Sequence, residues 1–234
     1  MRFAQTHPWD VSPAEARAIQ SELAGQVDLR DGVTLDDIEI VAGIDNAYVK
    51  NRRETIACAA VVALTFPALE VIETAVTWEP VVFPYVPGLL SFREGPAVLA
   101  ACAGLTLEPD VVLLDGQGYA HPRRFGLASH IGVLLDRPTV GCAKSRLIGQ
   151  FEEPERVFGA YTPLIDHEEV VGTAVRTRPR RKPLFVSPGH KVSVETAVTI
   201  VLACCRDGHF MPEPTRLAHE TVTHERRQKI KAAG

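Results

Sequence analysis

Several kinds of segment are absent from this chain of 234 residues. No apolar run approaches the about 20 residues that are needed to span a bilayer. Residues 1–10 lack the basic stretch followed by an apolar stretch that marks a secreted protein. The chain also contains no internal repeat and no low-complexity tract. We therefore expect a cytoplasmic protein that is neither secreted nor associated with a membrane.

Cysteine is scarce, and its distribution argues against two structural roles. The five cysteines are odd in number and include no C-x-x-C pair; they are Cys58, Cys102, Cys142, Cys204 and Cys205. Their mostly apolar surroundings predict small core residues in a reducing compartment. The spacing disfavours a zinc cluster. The formal net charge of −4 gives no overall attraction to nucleic acid, but it does not exclude a local basic track.

The first part of the chain predicts one helix and a three-stranded meander. A hydrophobic fraction of 46% allows a substantial core, and we interpret residues 1–234 as a single domain. The sequence from Ser12 to Glu15 is typical of a capped helix start and predicts a helix over residues 13–26. Segments rich in Val, Ile, Thr and Ala then predict antiparallel strands with short connections, at residues 37–49, 54–64 and 69–78.

The order of elements changes after the proline-marked loop at residues 80–87. Residues 89–105 are helical in pattern, and we expect Pro96 either to kink this helix or to start its second part. A strand, a helix and a strand follow at residues 111–114, 124–135 and 139–143, which predicts a parallel βαβ unit. We therefore predict an α/β fold with a mixed five-stranded sheet, three strands antiparallel and then two parallel, flanked by helices. Further strands at residues 169–176 and 184–186 and helices at residues 193–205 and 214–229 complete the chain.

Asp115 is the first candidate site residue. It follows four apolar residues that are typical of a strand buried on both faces, so it lies at the carboxyl end of a strand, where α/β folds bind ligands. Gly116 and Gly118 follow and allow the backbone to approach a ligand closely. The alternative is an Asp-Gly turn that caps a helix starting near Pro122.

Asp45 and Glu94 are the next candidates. Asp45 lies within or at the edge of the first strand, in apolar company, and Glu94 lies on the helix after the proline-flanked loop. If the first strand neighbours the Asp115 strand, Asp45 and Asp115 converge on a cation such as Mg²⁺ or Mn²⁺. Three carboxylates around one or two metal ions are typical of phosphodiester hydrolysis. The alternatives are a turn residue for Asp45 and a solvated helical glutamate for Glu94.

Lys144 and His219 can assist such a centre. Lys144 ends the second parallel strand and so faces the same sheet edge as Asp115, where it can hold a phosphate or polarise a nucleophilic water. His219 lies on the final predicted helix and can carry a proton near a metal. The alternatives are an ordinary strand-end lysine and a surface histidine.

Taken together, these motifs resemble the endonuclease V family, the deoxyinosine 3′ endonucleases, which have an RNase H-like fold. The resemblance runs over residues 43–219 and keeps the order of the family's segments. It rests on residues 43–48 (GIDNAY), 84–88 (PYVPG), 92–94 (FRE), 114–118 (LDGQG), 120–126 (AHPRRFG), 143–145 (AKS), 186–190 (VSPGH) and 212–219 (PEPTRLAH).

The resemblance implies that Asp45, Glu94 and Asp115 build a Mg²⁺ site, which Mn²⁺ can also occupy, with Lys144 and His219 in support. It implies cleavage of the second phosphodiester bond on the 3′ side of deoxyinosine, leaving 3′-hydroxyl and 5′-phosphate ends. The implied partner is inosine-containing DNA, single or double stranded, with inosine-containing RNA left open. We expect the protein to act as a monomer.

The resemblance also implies how the lesion is recognised. Tyr85, held in a stiff loop by Pro84, Val86 and Pro87, would be a wedge that fills the gap left by a flipped base; an aromatic ring replaces stacking of about 1–3 kcal/mol. The pocket for the flipped hypoxanthine would be lined by Leu90, Gly116, Gly118 and His121. Flipping is cheaper for a weakly paired base than for a normal one.

Two residues depart from the family pattern. Asn46 replaces the apolar residue expected after the aspartate, and Tyr119 replaces a smaller aliphatic residue. Tyr119 either narrows the pocket or only covers it, so the range of damaged bases stays open. Basic residues that would track phosphates if they face the groove are Arg123, Arg124, Arg178, Arg180 and Arg181; the alternative for residues 177–182 is a solvated turn.

Two alternative functions remain from the sequence. One is an RNase H-like nuclease that acts on inosine-containing RNA or on a branched junction, because contacts to a 2′-hydroxyl cannot be located from sequence. The other is a module that binds inosine and recruits a separate nuclease. Three converging carboxylates argue against the binding module.

Overall fold

The computed structural model describes residues 1–50 and 54–233. The described strands are β1 (Ile40–Lys50), β2 (Thr55–Thr65), β3 (Val71–Pro80), β4 (Val111–Leu114), β5 (Thr139–Ala143), β6 (Tyr161–Asp166), β7 (Glu169–Val175) and β8 (Leu184–His190). The described helices are α1 (Pro13–Ala24), α2 (Leu90–Gly104), α3 (Leu127–Leu135), α4 (Val194–Ala203) and α5 (Glu213–Ala233), with a short 3₁₀ turn at Leu35–Asp37.

The strands form one mixed sheet in the order β3-β2-β1-β4-β5-β8-β7-β6. Strands β1, β2 and β3 are an antiparallel meander, and β4 is parallel to both β1 and β5. The prediction of three antiparallel strands followed by two parallel ones is confirmed, as is the α/β class. Part of the predicted polar connection between β1 and β2, at residues 51–53, lies outside the described residues.

The C-terminal strands extend the same sheet. Strand β8 pairs antiparallel with β5, β7 pairs with β8, and β6 forms the far edge. The sequence did not predict β6. Its Pro163 weakens a strand signal, and proline is tolerated there because an edge strand leaves backbone groups unpaired.

The helices follow their predictions, with shifts at several of their ends. The capping box of Ser12 and Glu15 is present at α1, and α2 continues through Pro96 without ending. Helix α3 starts at Leu127 rather than at residue 124, because Arg124 has a φ of 54°, in the left-handed region that a right-handed helix excludes. Helix α4 ends at Ala203, and α5 runs on to Ala233.

Helices cover both faces of the sheet because neighbouring residues of each central strand point to opposite sides. Ala42 and Leu114 pack in the cluster that includes α2 and α3, whereas Val41 and Leu113 pack in the cluster that includes α4 and α5. The five cysteines are free and buried, as predicted. Among the described helices, none combines the length and the apolar character needed to cross a membrane.

Candidate functional site

Asp45 and Asp115 lie side by side on neighbouring strands. In the parallel pair of β1 and β4, Ile44 is opposite Leu114, and the Asp115 N–H donates to the Ile44 carbonyl at 3.1 Å. The next residue on each strand is therefore an aspartate at the same edge. Asp45 lies inside β1, so the turn alternative is wrong for it. Asp115 caps no helix near Pro122, because α3 starts at Leu127.

Helix α5 brings His219 to this pair of carboxylates. Its first turn crosses β1 at Gly43, where a Cβ atom would lie 2.0 Å from the Pro214 carbonyl carbon. Only glycine at this position allows the helix to approach so closely. His219 Nδ1 then lies 2.7 Å from Asp45 Oδ2. One ligand atom from each of Asp45, Asp115 and His219 lies within 4.8 Å of the other two.

Lys144 joins the same edge from β5. Its Nζ lies 2.5 Å from Asp115 Oδ2, and both side chains reach solvent in part. The parallel pairing of β4 and β5 accounts for this contact, since the two strands end side by side. The lysine therefore offsets one carboxylate charge, and its ammonium group has further protons to donate.

Glu94 lies near these residues but is not part of the cluster of ligand atoms from Asp45, Asp115 and His219. Its Oε1 accepts a hydrogen bond from the Tyr48 hydroxyl at 2.9 Å, and its Oε2 lies 3.5 Å from the Asn46 amide nitrogen. Burial raises the pKa of Glu94 to about 7, and the charges of Asp45 and Asp115 act in the same direction. The structure thus places His219, rather than Glu94, in the tightest set of potential ligand atoms.

The charge balance of this edge suits a divalent cation. Burial raises the pKa of Asp45, and the neighbouring Asp115 charge adds to this shift, although the His219 contact opposes it. Two carboxylates that repel each other in a largely buried setting are stabilised by a cation between them. The carboxylate oxygens of Asp45 and Asp115 are donors that suit Mg²⁺ or Mn²⁺. The residues present therefore fit the predicted metal.

A cavity with a volume of about 430 Å³ opens beside the acidic edge. Leu90, Gly116 and His121 line it, as do Asp115 and Lys144. Tyr85 stands at the cavity with 71% of its surface exposed, in a loop whose Val86 and Pro87 also contribute to the lining. The ring is therefore accessible to a ligand.

Gly118, which we expect in the base pocket, and Tyr119 are not among the residues that line this cavity. Gly118 instead packs against β8: its N–H donates to Ser187 Oγ, and a Cβ there would lie 2.2 Å from the Pro188 carbonyl oxygen. The Tyr119 hydroxyl donates to Glu169 at 2.6 Å, and its ring packs in a separate cluster under β6 and β7. Tyr119 therefore does not narrow this cavity.

His121 is neutral and fully engaged within the protein. Its Nδ1 accepts from the Arg123 N–H at 3.2 Å, so Nε2 carries the proton and donates to the Gly88 carbonyl at 3.1 Å. Burial lowers the pKa of His121 to about 4, and the Arg123 charge acts in the same direction. His121 thereby links the segment after β4, in which it lies, to the loop that contains Tyr85 and Gly88.

Arg123 and Arg124, which we expect to track phosphates if they face the groove, bind protein groups in this structure. Arg123 donates to the Gly88 carbonyl at 2.7 Å and to Gln20 at 2.5 Å. Arg124 forms ion pairs with Asp166 and Glu169 at 2.9 and 2.8 Å. Both guanidinium groups are bound to protein acceptors because the tertiary fold brings α1 beside Arg123 and brings β6 and β7 beside Arg124.

The other predicted basic residues are more accessible. Arg180 and Arg181 are exposed, and Arg178 is partly buried. A shallow depression beside the acidic edge is lined by Arg180, Arg181, Lys182, Phe210 and Lys144. Lys144 therefore borders both this depression and the acidic edge.

The sequence did not single out Gln20, Ser91 or Tyr48. Gln20 is buried and donates to the carbonyls of Gly88 and Phe125, which holds α1 against the cavity loops. Ser91 lines the cavity at the start of α2, and Tyr48 holds Glu94. Gln20 lies on the same face of α1 as the buried residues Ala16 and Leu23. A polar residue at this helical spacing among apolar ones is the signal that could have identified it.

Comparison with known proteins gives a consistent result. A sequence model of the Endonuclease V family matches residues 21–220. Endonuclease V of Methanothrix thermoacetophila is 50% identical over 219 residues, which is 94% of each chain. The crystal structure of the Bacillus subtilis endonuclease V has a TM-score of 0.95 at 33% identity and covers 99% of this chain and 100% of its own.

One related structure includes nucleic acid. The Ciona intestinalis endonuclease V was solved in complex with a 24mer DNA containing an inosine followed by a ribo-adenosine. It has a TM-score of 0.78 and 32% identity, and covers 92% of this chain and 98% of its own.

Proposed function

Because this chain belongs to the endonuclease V family, we propose that it is a DNA repair endonuclease specific for deoxyinosine. In this proposal a monomer of one domain hydrolyses, with Mg²⁺, the second phosphodiester bond on the 3′ side of the lesion. The observation that carries the proposal is the convergence of Asp45, Asp115 and His219 beside the cavity bordered by Tyr85. The DNA complex of the Ciona relative supports inosine as the recognised base.

Asp45 and Asp115 would hold the metal. Glu94, which accepts a hydrogen bond from Tyr48, would be the third carboxylate of the metal site. When bound, Mg²⁺ or Mn²⁺ would lower the pKa of a water nucleophile and neutralise charge on the phosphodiester. His219 Nδ1 faces Asp45, which leaves its Nε2 free to exchange a proton with solvent or substrate. The Lys144 ammonium, next to Asp115, would offset the negative charge of the scissile phosphate.

Tyr85 and the cavity would recognise the lesion. The exposed ring would stack in the place of the flipped base, while Pro84 and Pro87 limit the motion of its loop. The flipped hypoxanthine would enter the cavity lined by Leu90, Gly116 and His121. Because the cavity also includes Asp115 and Lys144, base recognition and hydrolysis would occur at adjoining positions of one surface.

The decisive assay uses purified protein, Mg²⁺ and matched DNA and RNA strands that each contain one inosine, with product ends mapped. We expect a nick at the second bond 3′ of deoxyinosine, with 3′-hydroxyl and 5′-phosphate ends. Faster cleavage of the RNA strand would instead identify an inosine-specific ribonuclease. Binding without cleavage of either strand would identify a binding module.

The Asp115→Asn variant tests the metal assignment in the same assay. The substitution keeps the size of the side chain but removes one charge from the acidic pair, so cleavage should fall to the background rate while inosine DNA is still bound. Asp207→Asn, on an exposed turn, is the matched control and should cut at the wild-type rate. Near wild-type cutting by Asp115→Asn would contradict the assignment.

A further inference from the structure

A chain of hydrogen bonds runs from the protein surface to the cavity wall through two histidines. His130 is fully buried; its Nδ1 lies 2.8 Å from Ser91 Oγ and its Nε2 lies 2.6 Å from His7 Nε2. His7 Nδ1 in turn lies 2.8 Å from the Pro8 carbonyl oxygen. Ser91, at the inner end, lines the cavity beside Leu90.

The direction of every proton in this chain follows from its outer end. A carbonyl oxygen only accepts, so His7 must carry its proton on Nδ1 and offer Nε2 as an acceptor. His130 therefore donates from Nε2 and accepts at Nδ1. The Ser91 hydroxyl must then donate its single proton to His130. Within the described residues, His130 is the only hydrogen-bond partner of the Ser91 side chain, so no other protein group there occupies the hydroxyl lone pairs.

The surroundings keep both histidines neutral, as this assignment requires. Burial lowers the pKa of His130 well below its usual value and also lowers that of His7. Aromatic rings surround the His130 imidazole, with the centroids of Trp9, Phe92 and Phe125 at 5.2, 5.2 and 4.9 Å. Water therefore has little access to the buried end of the chain, and the serine proton stays directed away from the cavity.

We propose that Ser91 is a specificity-determining residue that accepts a hydrogen bond from the N1–H of the flipped base, with His130 and His7 as positioning residues. This inference rests on the proposed deoxyinosine activity. N1–H is the only N–H group of hypoxanthine in a nucleotide, whereas adenine presents a lone pair at N1. An oxygen that can only accept attracts the first and repels the second.

The test compares binding of three otherwise identical duplexes that carry deoxyinosine, deoxyadenosine or purine 2′-deoxyriboside at one position. Purine lacks the N1–H and has a lone pair there. Ca²⁺ replaces Mg²⁺ so that binding is measured without cleavage. Ser91→Ala should weaken binding of the inosine duplex about tenfold, the effect of one hydrogen bond, and should leave purine binding unchanged or stronger. A loss of affinity confined to the inosine duplex is not expected from a merely structural defect.

Two further variants complete the test. Ser129→Ala removes another buried hydroxyl, which has no partner among the described residues, and should change neither affinity. His7→Phe removes the outer acceptor, so the His130 and Ser91 protons can reverse, and the preference for inosine over purine should fall. Equal losses for inosine and purine in Ser91→Ala would overturn the inference alone. A wild-type protein that binds inosine and adenine duplexes alike would overturn the proposed function as well.

Discussion

The Nδ1 atom of His219 lies 2.7 Å from Oδ2 of Asp45, although 174 positions separate the two residues in the chain. The contact exists because Gly43 allows the first turn of α5 to lie directly on β1. It fixes the imidazole with Nε2 directed away from the carboxylate. A histidine held in this way is suited to proton transfer at a fixed position.

The His219→Asn variant should lower the single-turnover cleavage rate by about 10²–10⁴-fold, the usual contribution of a general acid or base. Affinity for inosine DNA should change little, because the Asp45 and Asp115 carboxylates remain. His224→Asn, an exposed histidine on the same helix, is the matched control. An unchanged cleavage rate in His219→Asn would exclude a role in proton transfer.

Tyr85→Ala should weaken binding of inosine DNA about tenfold or more, because stacking on an aromatic ring contributes about 1–3 kcal/mol per base. Tyr85→Phe keeps the ring and should bind as the wild type does. Tyr161→Ala removes another exposed tyrosine, on the edge strand β6, and serves as the control. Equilibrium binding with Ca²⁺ measures the effect; full affinity in Tyr85→Ala would refute the wedge.

Stability should fall in acid because His121 resists protonation in the folded protein. Its pKa is lowered to about 4 by burial and by the Arg123 charge, against 6.5 in the unfolded chain. The unfolded state therefore binds more protons as the pH falls from about 6.5 towards 4, and the free energy of unfolding decreases over that window. Between pH 7.5 and pH 5 this histidine accounts for a loss of about 2 kcal/mol.

Urea unfolding of the wild type and of His121→Gln at these two pH values measures that contribution. The glutamine variant should lose about 2 kcal/mol less than the wild type between pH 7.5 and pH 5. The buried His130 shifts in the same direction in both proteins and cancels in the comparison. An identical pH dependence in both would show that His121 titrates normally in the folded state.

The Arg180→Gln/Arg181→Gln double variant should bind inosine DNA with a weaker dependence on salt. Each lost phosphate contact lowers the slope of log affinity against log salt by about 0.9, so the slope should decrease by about 2 if both contact phosphates. The control is Arg226→Gln/Arg227→Gln, two exposed arginines on α5. An unchanged slope in the Arg180 and Arg181 variant would assign residues 177–182 to a solvated turn.

The sequence predicted local structure best where one physical signal dominates. The capping box of Ser12 and Glu15 located the start of α1, and the apolar residues 111–114 located β4. The start of α3 was misplaced because nothing in the sequence reveals that Arg124 has a positive φ. Strand β6 was missed because Pro163 weakens the strand signal in the sequence. Residues 161–166 form a strand because they pair with β7.

The candidate site divides in the same way. Residue types and their order indicated Asp45, Asp115, Lys144 and His219 as candidates, because carboxylate, ammonium and imidazole groups are chemically informative wherever they occur. The sequence did not reveal that Arg123 and Arg124 are bound to protein groups, that Gly118 packs against β8, or that Ser91 faces His130 and His7. Those contacts join residues far apart in the chain, so no local pattern encodes them.

The sequence by itself determined the succession of elements, the acidic and basic groups available and the resemblance to the endonuclease V family. Those properties follow from backbone preference, hydrophobic periodicity and residue chemistry, which act over short stretches of chain. Only the tertiary structure decided which groups meet, because side-chain contacts depend on the packing of distant elements. The parallel pairing of β1 with β4 and the close approach of α5 at Gly43 together bring Asp45, Asp115 and His219 to one edge of the sheet.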